Sequence, residues 1–279
     1  MTEFVYALKT SLWKPARGFL KRLYLGIFDF ADAASRRKDM MPPRNMRLIG
    51  DGDFRAIGLA FRRLFTDYGG LKPDDRVLDV GCGIGRMAVP LAGYLSANGE
   101  YQGFDVVRKG VEWCQENITP RYPKFHFHHA DIHNKDYNPH GAIQASGYEF
   151  PYDDGYFDFV LLTSVFTHML PPDLENYLYE ISRVLRRGGT CFITFFLLNE
   201  ESAGLIRRKL SKQNFIHEVG GCFTTTLENP EAAVAFLEPY IRGLFARSGL
   251  TICEPIHFGS WCGRARFLSY QDIVIGRKS

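Results

Sequence analysis

The sequence of 279 residues has few cysteines, little net charge and no long hydrophobic run, and each shortage removes a class of protein. Its six cysteines are scattered at positions 82, 114, 191, 222, 253 and 262, with no C-x-x-C pair among them. That spacing excludes a zinc knuckle or dithiol redox motif and reads as free thiols in a reducing compartment. The formal charge of +3 is the small difference between 34 basic and 31 acidic residues dispersed along the chain. Nucleic-acid binders concentrate Lys and Arg on one face, so no nucleic-acid partner is expected and a small substrate fits better. No apolar run approaches the ~20 residues that span a bilayer, and the first residues lack the charged-then-apolar pattern of a signal peptide. The expected location is therefore cytoplasmic. What is present, 46% hydrophobic and 23% charged residues, suits a folded chain with one large α/β domain and an appendage.

From Arg76 onward, short β-rich runs alternate with helical patterns, the signature of a parallel sheet covered by helices on both faces. Strands are expected at 76–80, 100–105, 124–130, 157–163 and 190–197, with two more near 250–257 and 267–275. Val107, Val111, Cys114 and Ile118 form one helical stripe. Leu174, Tyr177, Leu178, Ile181, Val184 and Leu185 form a second, ended by Gly188 and Gly189. An earlier helix at 53–68 carries Phe54, Ile57, Phe61, Leu64, Phe65 and Tyr68 on one face, with Asp53 as N-cap. Asn229 and Pro230 are expected to open another helix, with Ala233, Phe236, Leu237, Tyr240, Ile241, Leu244 and Phe245 on its buried face. The predicted organisation is a doubly wound, mostly parallel, seven-stranded α/β domain at 71–279, preceded by an N-terminal helical extension or lid at 1–70. A break in the alternation at 199–228 reads as a substrate-side insert.

The most informative segment is VLDVGCGIGR at 77–86: an apolar strand, three glycines at alternate positions, then the start of a helix. Glycine tolerates positive φ and lets a ligand approach the backbone, so Gly81, Cys82, Gly83 and Gly85 form a turn able to wrap a flat polar cofactor. Its place after the first strand is where open parallel sheets bind ligands. A dinucleotide fingerprint, G-x-G-x-x-G, would need Gly or Ala where this chain has Arg86. The pattern is instead D-x-G-x-G-x-G, from Asp79 to Gly85. With this turn the sequence, over residues 70–277, resembles the class I S-adenosylmethionine-dependent methyltransferases. The resemblance implies a Rossmann-like methyltransferase fold with S-adenosyl-L-methionine as cofactor. Asp105 closes the second strand, where a carboxylate can accept hydrogen bonds from both ribose hydroxyls. Asp131 and Ile132 follow the third strand, where the resemblance puts a carboxylate near the adenine amino group and an apolar residue against the ring. It also puts Asp79 near the methionine end of the cofactor; from the residues alone, Asp79 reads equally well as a loop-orienting acceptor.

Methyl transfer from a sulfonium is an in-line displacement in which positioning supplies much of the rate. An alcohol acceptor must also lose its proton, and His168, just past the fourth strand, suits that task at neutral pH. The other reading of His168 is a hydrogen bond to a main-chain carbonyl, or a cap on the turn at Pro171, Pro172 and Asp173. The acceptor pocket is expected from the insert, which holds His217, and from 257–264, where Trp261 and Arg264 would grip a sugar or carboxylate. Trp261 reads equally as a core plug. Segments 131–139, 164–168 and 269–275 look like methyltransferases found beside glycan-assembly enzymes, which implies O-methylation of a small-molecule or glycan hydroxyl. The alternatives are an N-methyltransferase, a non-catalytic module of the same fold and a nicotinamide-dependent oxidoreductase. No metal site is expected from His126, His128, His129 and His133, because strand alternation sends His126 and His128 to one face and His129 to the other. Near the N-terminus, Lys9, Lys14, Arg17, Lys21 and Arg22 accompany Phe19, Leu20, Leu23, Tyr24 and Ile27. Such a basic amphipathic stripe packs on its own domain or another subunit more often than on a membrane surface.

Overall fold

Short apolar runs bounded by turn residues assemble into a seven-stranded sheet in the computed structural model, which describes residues 40–43, 46 and 52–279. The basic stripe and most of the expected N-terminal extension lie outside the described residues. The chain divides into two units, Met1–Ile57 and Gly58–Ser279. In the first unit the Ala56 N–H donates to the Asp53 side chain at 2.7 Å, the N-cap that starts α1 (Phe54–Asp67).

The strands in chain order are β1 (Arg76–Val80), β2 (Glu100–Asp105), β3 (Phe125–His129), β4 (Phe157–Leu162) and β5 (Leu185–Phe195). They continue with β6 (Leu197–Leu198), β7 (His217–Val219), β8 (Cys222–Thr224), β9 (Val234–Leu237), β10 (Leu250–Ile252) and β11 (Asp272–Lys278). The helices after α1 are α2 (Ala88–Ala92), α3 (Arg108–Asn117), α4 (Pro171–Val184), α5 (Glu200–Arg207) and α6 (Glu238–Arg247). The large sheet has the order β10-β11-β5-β4-β1-β2-β3. β1 to β5 run parallel, β11 is antiparallel to β5, and β10 is antiparallel to β11, so only β11 is reversed. All the loops that follow β1 to β5 and β10 therefore emerge at one edge.

Alternate side chains of a strand face opposite sides, so each strand feeds both layers. On one face Leu78, Val80, Phe104, Val160, Leu162, Ile193 and Phe195 meet Leu174, Tyr177, Leu178 and Ile181 of α4 in a buried cluster. On the other, Phe65 of α1 packs edge-on against Phe159 and Phe192, with ring centroids 5.9 and 4.9 Å away.

Three elements differ from the expected pattern. Helix α4 stops at Val184, because Leu185 takes up extended backbone and pairs with Phe157; Gly188 and Gly189 then lie in an irregular part of the β4–β5 ladder. The segment expected to open a helix at Asn229 forms a single 3₁₀ turn, Pro230–Ala232, followed by β9 and only then α6. Val234 and Phe236 point into the main core, while Ala233 and Ala235 join a second cluster with Phe196, Leu198, Phe215, Trp261 and Cys262. A strand buried on both faces is apolar throughout, and periodicity alone cannot tell it from a helix. The insert is also structured. Asn199 and Ser202 cap α5 reciprocally, and β7 and β8 form a hairpin turning on Gly220 and Gly221, both at positive φ as two-residue hairpin turns require. With β6 and β9 they make a four-stranded sheet in the order β6-β9-β8-β7.

The two sheets share one buried anchor. Asp272, fully buried where β11 begins, accepts from the Leu197 and Gly259 N–H groups at 2.6 Å each. It also accepts from Trp261 Nε1 at 2.8 Å and Arg264 Nη1 at 3.2 Å. Burial pushes its carboxyl up to about 6, and those donors pull against the rise. Asp272→Ala should destabilise the protein by ~3–5 kcal/mol in urea denaturation, because it strands three buried N–H donors and takes from the buried Arg264 one of its two carboxylate partners. Glu254→Ala, which removes an exposed partner of Arg242, should cost less than ~1 kcal/mol.

Candidate active site

β1 ends at Val80, and the chain turns at once under main-chain control. The Gly81 and Cys82 N–H groups both donate to the Phe104 carbonyl of β2 at 3.0 Å, and the Gly85 N–H donates to the Cys82 carbonyl at 2.9 Å. Gly83 has a φ of 56°, and a Cβ built on it would meet nothing within 4 Å, so the turn presents bare backbone to open space. A Cβ on Gly81 would instead lie 2.3 Å from a Val165 methyl, so glycine there lets the loop after β4 close against the turn after β1. Cys82 is buried beneath, with its Cβ 2.9 Å from where a side chain on Gly103 would begin.

Two carboxylates flank the turn. Asp105, nearly buried at the end of β2, accepts from the Gly83 and Val107 N–H groups at 2.7 Å each. Burial pushes its carboxyl up and these N–H groups pull it down. Asp79 is fully buried; the Tyr101 hydroxyl donates to its Oδ2 at 2.5 Å, and its Oδ1 has no partner. Burial pushes the Asp79 carboxyl up to about 7, the Tyr101 hydrogen bond opposes that, and the nearby Asp105 charge adds to it.

Beyond β3, the Ala130 N–H donates to the Asp105 carbonyl at 3.0 Å, which brings the next loop beside β2. Asp131 is exposed, with Oδ1 3.3 Å from the Asn138 amide, while Ile132 is buried. The loop folds back on itself through the His133 N–H to Ile143 carbonyl bond and the Ile143 N–H to Asp131 carbonyl bond. Its tip carries Tyr137, whose hydroxyl is pushed up by burial and then by the charges of Asp136 and Asp105. Tyr137 was not among the expected site residues; an aromatic in a polar loop after a strand was the available signal. The strand histidines alternate as expected: His128 meets the Tyr152 hydroxyl at 3.3 Å, and His129 Nε2 donates to the Val106 carbonyl at 3.1 Å.

At the end of β4, Ser164 adopts a φ of 59°, a left-handed conformation that costs a non-glycine residue energy. It is held by its N–H to Thr194 Oγ1 at 2.8 Å and its hydroxyl to Gln271 Oε1 at 3.0 Å. Ser164 and Gln271 lie in segments singled out by resemblance, but their contact with each other and with Thr194 was not expected, since the three come together only when β4, β5 and β11 pair. A 3₁₀ turn, Phe166–His168, follows. His168 Nδ1 lies 2.9 Å from the Glu231 carbonyl oxygen. A carbonyl only accepts, so Nδ1 carries a proton here, and in the neutral imidazole Nε2 then holds the lone pair.

Two expected acceptor contacts are structural instead. The Trp261 ring is fully buried among Phe196 and Phe215 with its Nε1–H on Asp272, so it offers no face to a sugar. The Arg264 side chain is 4% exposed, and its guanidinium is held by Glu201, Asp272 and the Gly259 carbonyl. Both belong to the anchor around Asp272, which a buried carboxylate with several N–H partners requires. His217 lies on the edge strand β7, in register with Thr224 and at the far end of the small sheet from β6.

A family model for a methyltransferase domain matches residues 78–193, which hold the glycine turn, β2, β3 and β4. Over those residues the chain is similar to methyltransferase domains, the family that the glycine turn led one to expect. A 27-O-demethylrifamycin SV methyltransferase from Amycolatopsis mediterranei is 31% identical to it over 158 residues, 56% of this chain and 52% of that one. A 2-phytyl-1,4-naphtoquinone methyltransferase from Trichormus variabilis is 24% identical over 49% of this chain and 53% of its own length. The chain thus spans about half the length of these curated relatives. The crystal structure of a Burkholderia thailandensis 1,6-didemethyltoxoflavin-N1-methyltransferase covers 97% of this chain and 93% of its own, at a TM-score of 0.51 and 18% identity, a likeness of fold. No helix among the described residues is long and apolar enough to cross a membrane.

Asp79 gives the domain a testable pH signature. Folded, it keeps its proton up to about pH 7; unfolded, an aspartate releases it near pH ~3.9. Between those values the folded state binds more protons, so Asp79 lowers stability as pH rises through this window. Without added ligand, Asp79→Asn should flatten that decline, read as the denaturation midpoint at about pH 5 and about pH 8.

Proposed function

We propose that the protein transfers the methyl group of S-adenosylmethionine to a hydroxyl of a small apolar molecule, with His168 as general base. The observation that carries this reading is the Nδ1–H of His168 on the Glu231 carbonyl, at the carboxyl end of β4, which leaves Nε2 to take a proton. Three features fit the cofactor. Gly83 faces open space, Asp105 has acceptor capacity beyond its main-chain donors, and Asp79 has an unpaired buried oxygen suited to a cationic partner. On this reading Asp105 would hold the ribose hydroxyls, Asp131 and Ile132 the adenine, and Asp79 with the backbone of 81–85 the methionine end. Bound S-adenosylmethionine supplies an electrophilic methyl group on a positively charged sulfur.

The acceptor follows from the loop between β10 and β11. Trp261 and Arg264 are inside the protein, which disfavours a glycan, while Phe267, Leu268 and Tyr270 of the same loop are exposed. Gln271 ties that loop to Ser164, beside the turn that bears His168. The name of the rifamycin relative describes methylation at an oxygen of a small molecule, which supports the same class. A neutral amine acceptor would have less need of a base, and this separates O- from N-methylation.

Isotopically labelled methyl from S-adenosylmethionine, offered with a panel of apolar phenols, alcohols, amines and glycosides, should appear as an oxygen-linked methyl group. Label found only on nitrogen, or on no acceptor, would refute the proposal. His168→Gln should lower transfer by at least about a hundredfold at neutral pH while leaving S-adenosylhomocysteine affinity within about twofold. Asp105→Asn should do the reverse, weakening S-adenosylhomocysteine about ten- to a hundredfold in calorimetry through loss of a charge-assisted hydrogen bond.

A further inference from the structure

We infer that the four-stranded small sheet sets the tautomer of His168, and that Thr224 is the positioning residue through which it does so. The inference rests on His168 acting as the base, and it is reached through a chain of hydrogen bonds. Thr224, on β8, is fully buried, and its main chain pairs with Val234 of β9. The connection between the two strands runs over 225–233 and contains the 3₁₀ turn Pro230–Ala232. Pairing of β8 with β9 fixes only the ends of that connection. Its middle is tied down by the Thr224 hydroxyl, which donates to the Pro230 carbonyl at 2.8 Å, a closer acceptor than the Thr226 carbonyl at 3.2 Å. The next carbonyl, that of Glu231, receives the His168 Nδ1–H at 2.9 Å. Asn229 closes the turn from its other end, with its carbonyl accepting from the Ala232 N–H at 3.0 Å and its amide 3.3 Å from Asp136 Oδ2.

The physical consequence concerns which ring nitrogen is free. A neutral imidazole carries one proton on either nitrogen, and in water the Nε2–H form is the more populated. A carbonyl fixed opposite Nδ1 reverses that preference, since only Nδ1–H can donate to it. A base acting through Nε2 needs this reversal, because the Nε2–H tautomer has no lone pair there to offer. An analogous orienting role belongs to the buried carboxylate of a serine-protease triad, where the wrong tautomer is severely damaging. In this chain a main-chain carbonyl takes that role, and no side chain of the turn is needed for it. Substitution of Glu231 therefore leaves the contact in place. Substitution of Thr224 does not, because its hydroxyl holds the turn that aims the carbonyl.

The experiment reads the tautomer directly in the full chain, without an acceptor substrate. In ¹⁵N-labelled protein at a pH where the imidazole is neutral, with His168 assigned from the signals missing in His168→Gln, Nδ1 should appear as a protonated, pyrrole-type nitrogen. Nε2 should appear as a pyridine-type nitrogen. Thr224→Val, which removes the hydroxyl at nearly constant volume, should move His168 toward the Nε2–H pattern, and Thr224→Ser should restore the wild-type pattern. A pyridine-type Nδ1 in the wild-type protein overturns the inference, and so does an unchanged His168 spectrum in folded Thr224→Val. If the valine variant does not fold, Thr224→Ala takes its place with the same expected outcome, and the wild-type spectrum decides the tautomer in any case. A protein with the Nδ1–H tautomer that transfers no methyl group refutes the base and leaves the clamp standing. An active enzyme with the opposite tautomer refutes the clamp alone.

Discussion

The hydrogen bond from the Gly83 N–H to the Asp105 carboxylate is the contact on which the rest of the site depends. It joins the turn after β1 to the end of β2, and through the Val107 N–H the same carboxylate fixes the start of the segment leading into α3. A parallel sheet places its strand ends side by side but does not shape the loops that leave them. Here that shape comes from a carboxylate whose acceptor groups meet main-chain donors of two loops at once. Its near-burial makes each of those bonds stronger than it would be in water and makes an unpaired state costly. Asp79, one strand over, is the counterpart with an oxygen left over, and the difference between the two carboxylates is what gives the turn a direction for binding.

The segments beyond β4 are joined by different means. They are the end of β4, the small sheet and the loop between β10 and β11, none of which is continuous with the others in sequence. They are assembled by single polar contacts: Ser164 to Gln271, His168 to the Glu231 carbonyl, and Asp272 to Trp261 and Arg264. The turn after β1 is thus held through main-chain donors, and these later segments through side chains.

The sequence was most legible where chemistry is local. β1 and β2 fall on the residues expected of them, which puts the glycine turn and Asp105 at the ends of those two strands. Legibility failed where burial on both sides hides the period, as at 233–237, and where a helix cap uses Ser202 in place of the acidic residue usual in a capping box. Trp261 and Arg264 misled for a related reason. Both residue types bind sugars and both plug cores, and only the buried Asp272, eleven residues after Trp261, decides between these uses. Ser164 stood in a segment marked by resemblance, but its left-handed backbone gave no signal, because it depends on partners from β5 and the residue before β11. The His168 carbonyl contact was one of the two readings its position allowed, and it proved compatible with the other rather than exclusive of it.

The anchor at Asp272 has an evolutionary consequence. It grips the loop between β10 and β11 at its base, through Gly259, Trp261 and Arg264, and the Ser260 and Trp261 N–H groups tie the base to the Ser269 and Tyr270 carbonyls, which leaves 265–268 projecting beyond the grip. Residues in that projection do not contribute to the buried carboxylate network, so they can be exchanged in length and composition as a cassette while the socket stays constant. A protein built this way can rewrite four exposed positions without disturbing the buried carboxylate that joins its two sheets.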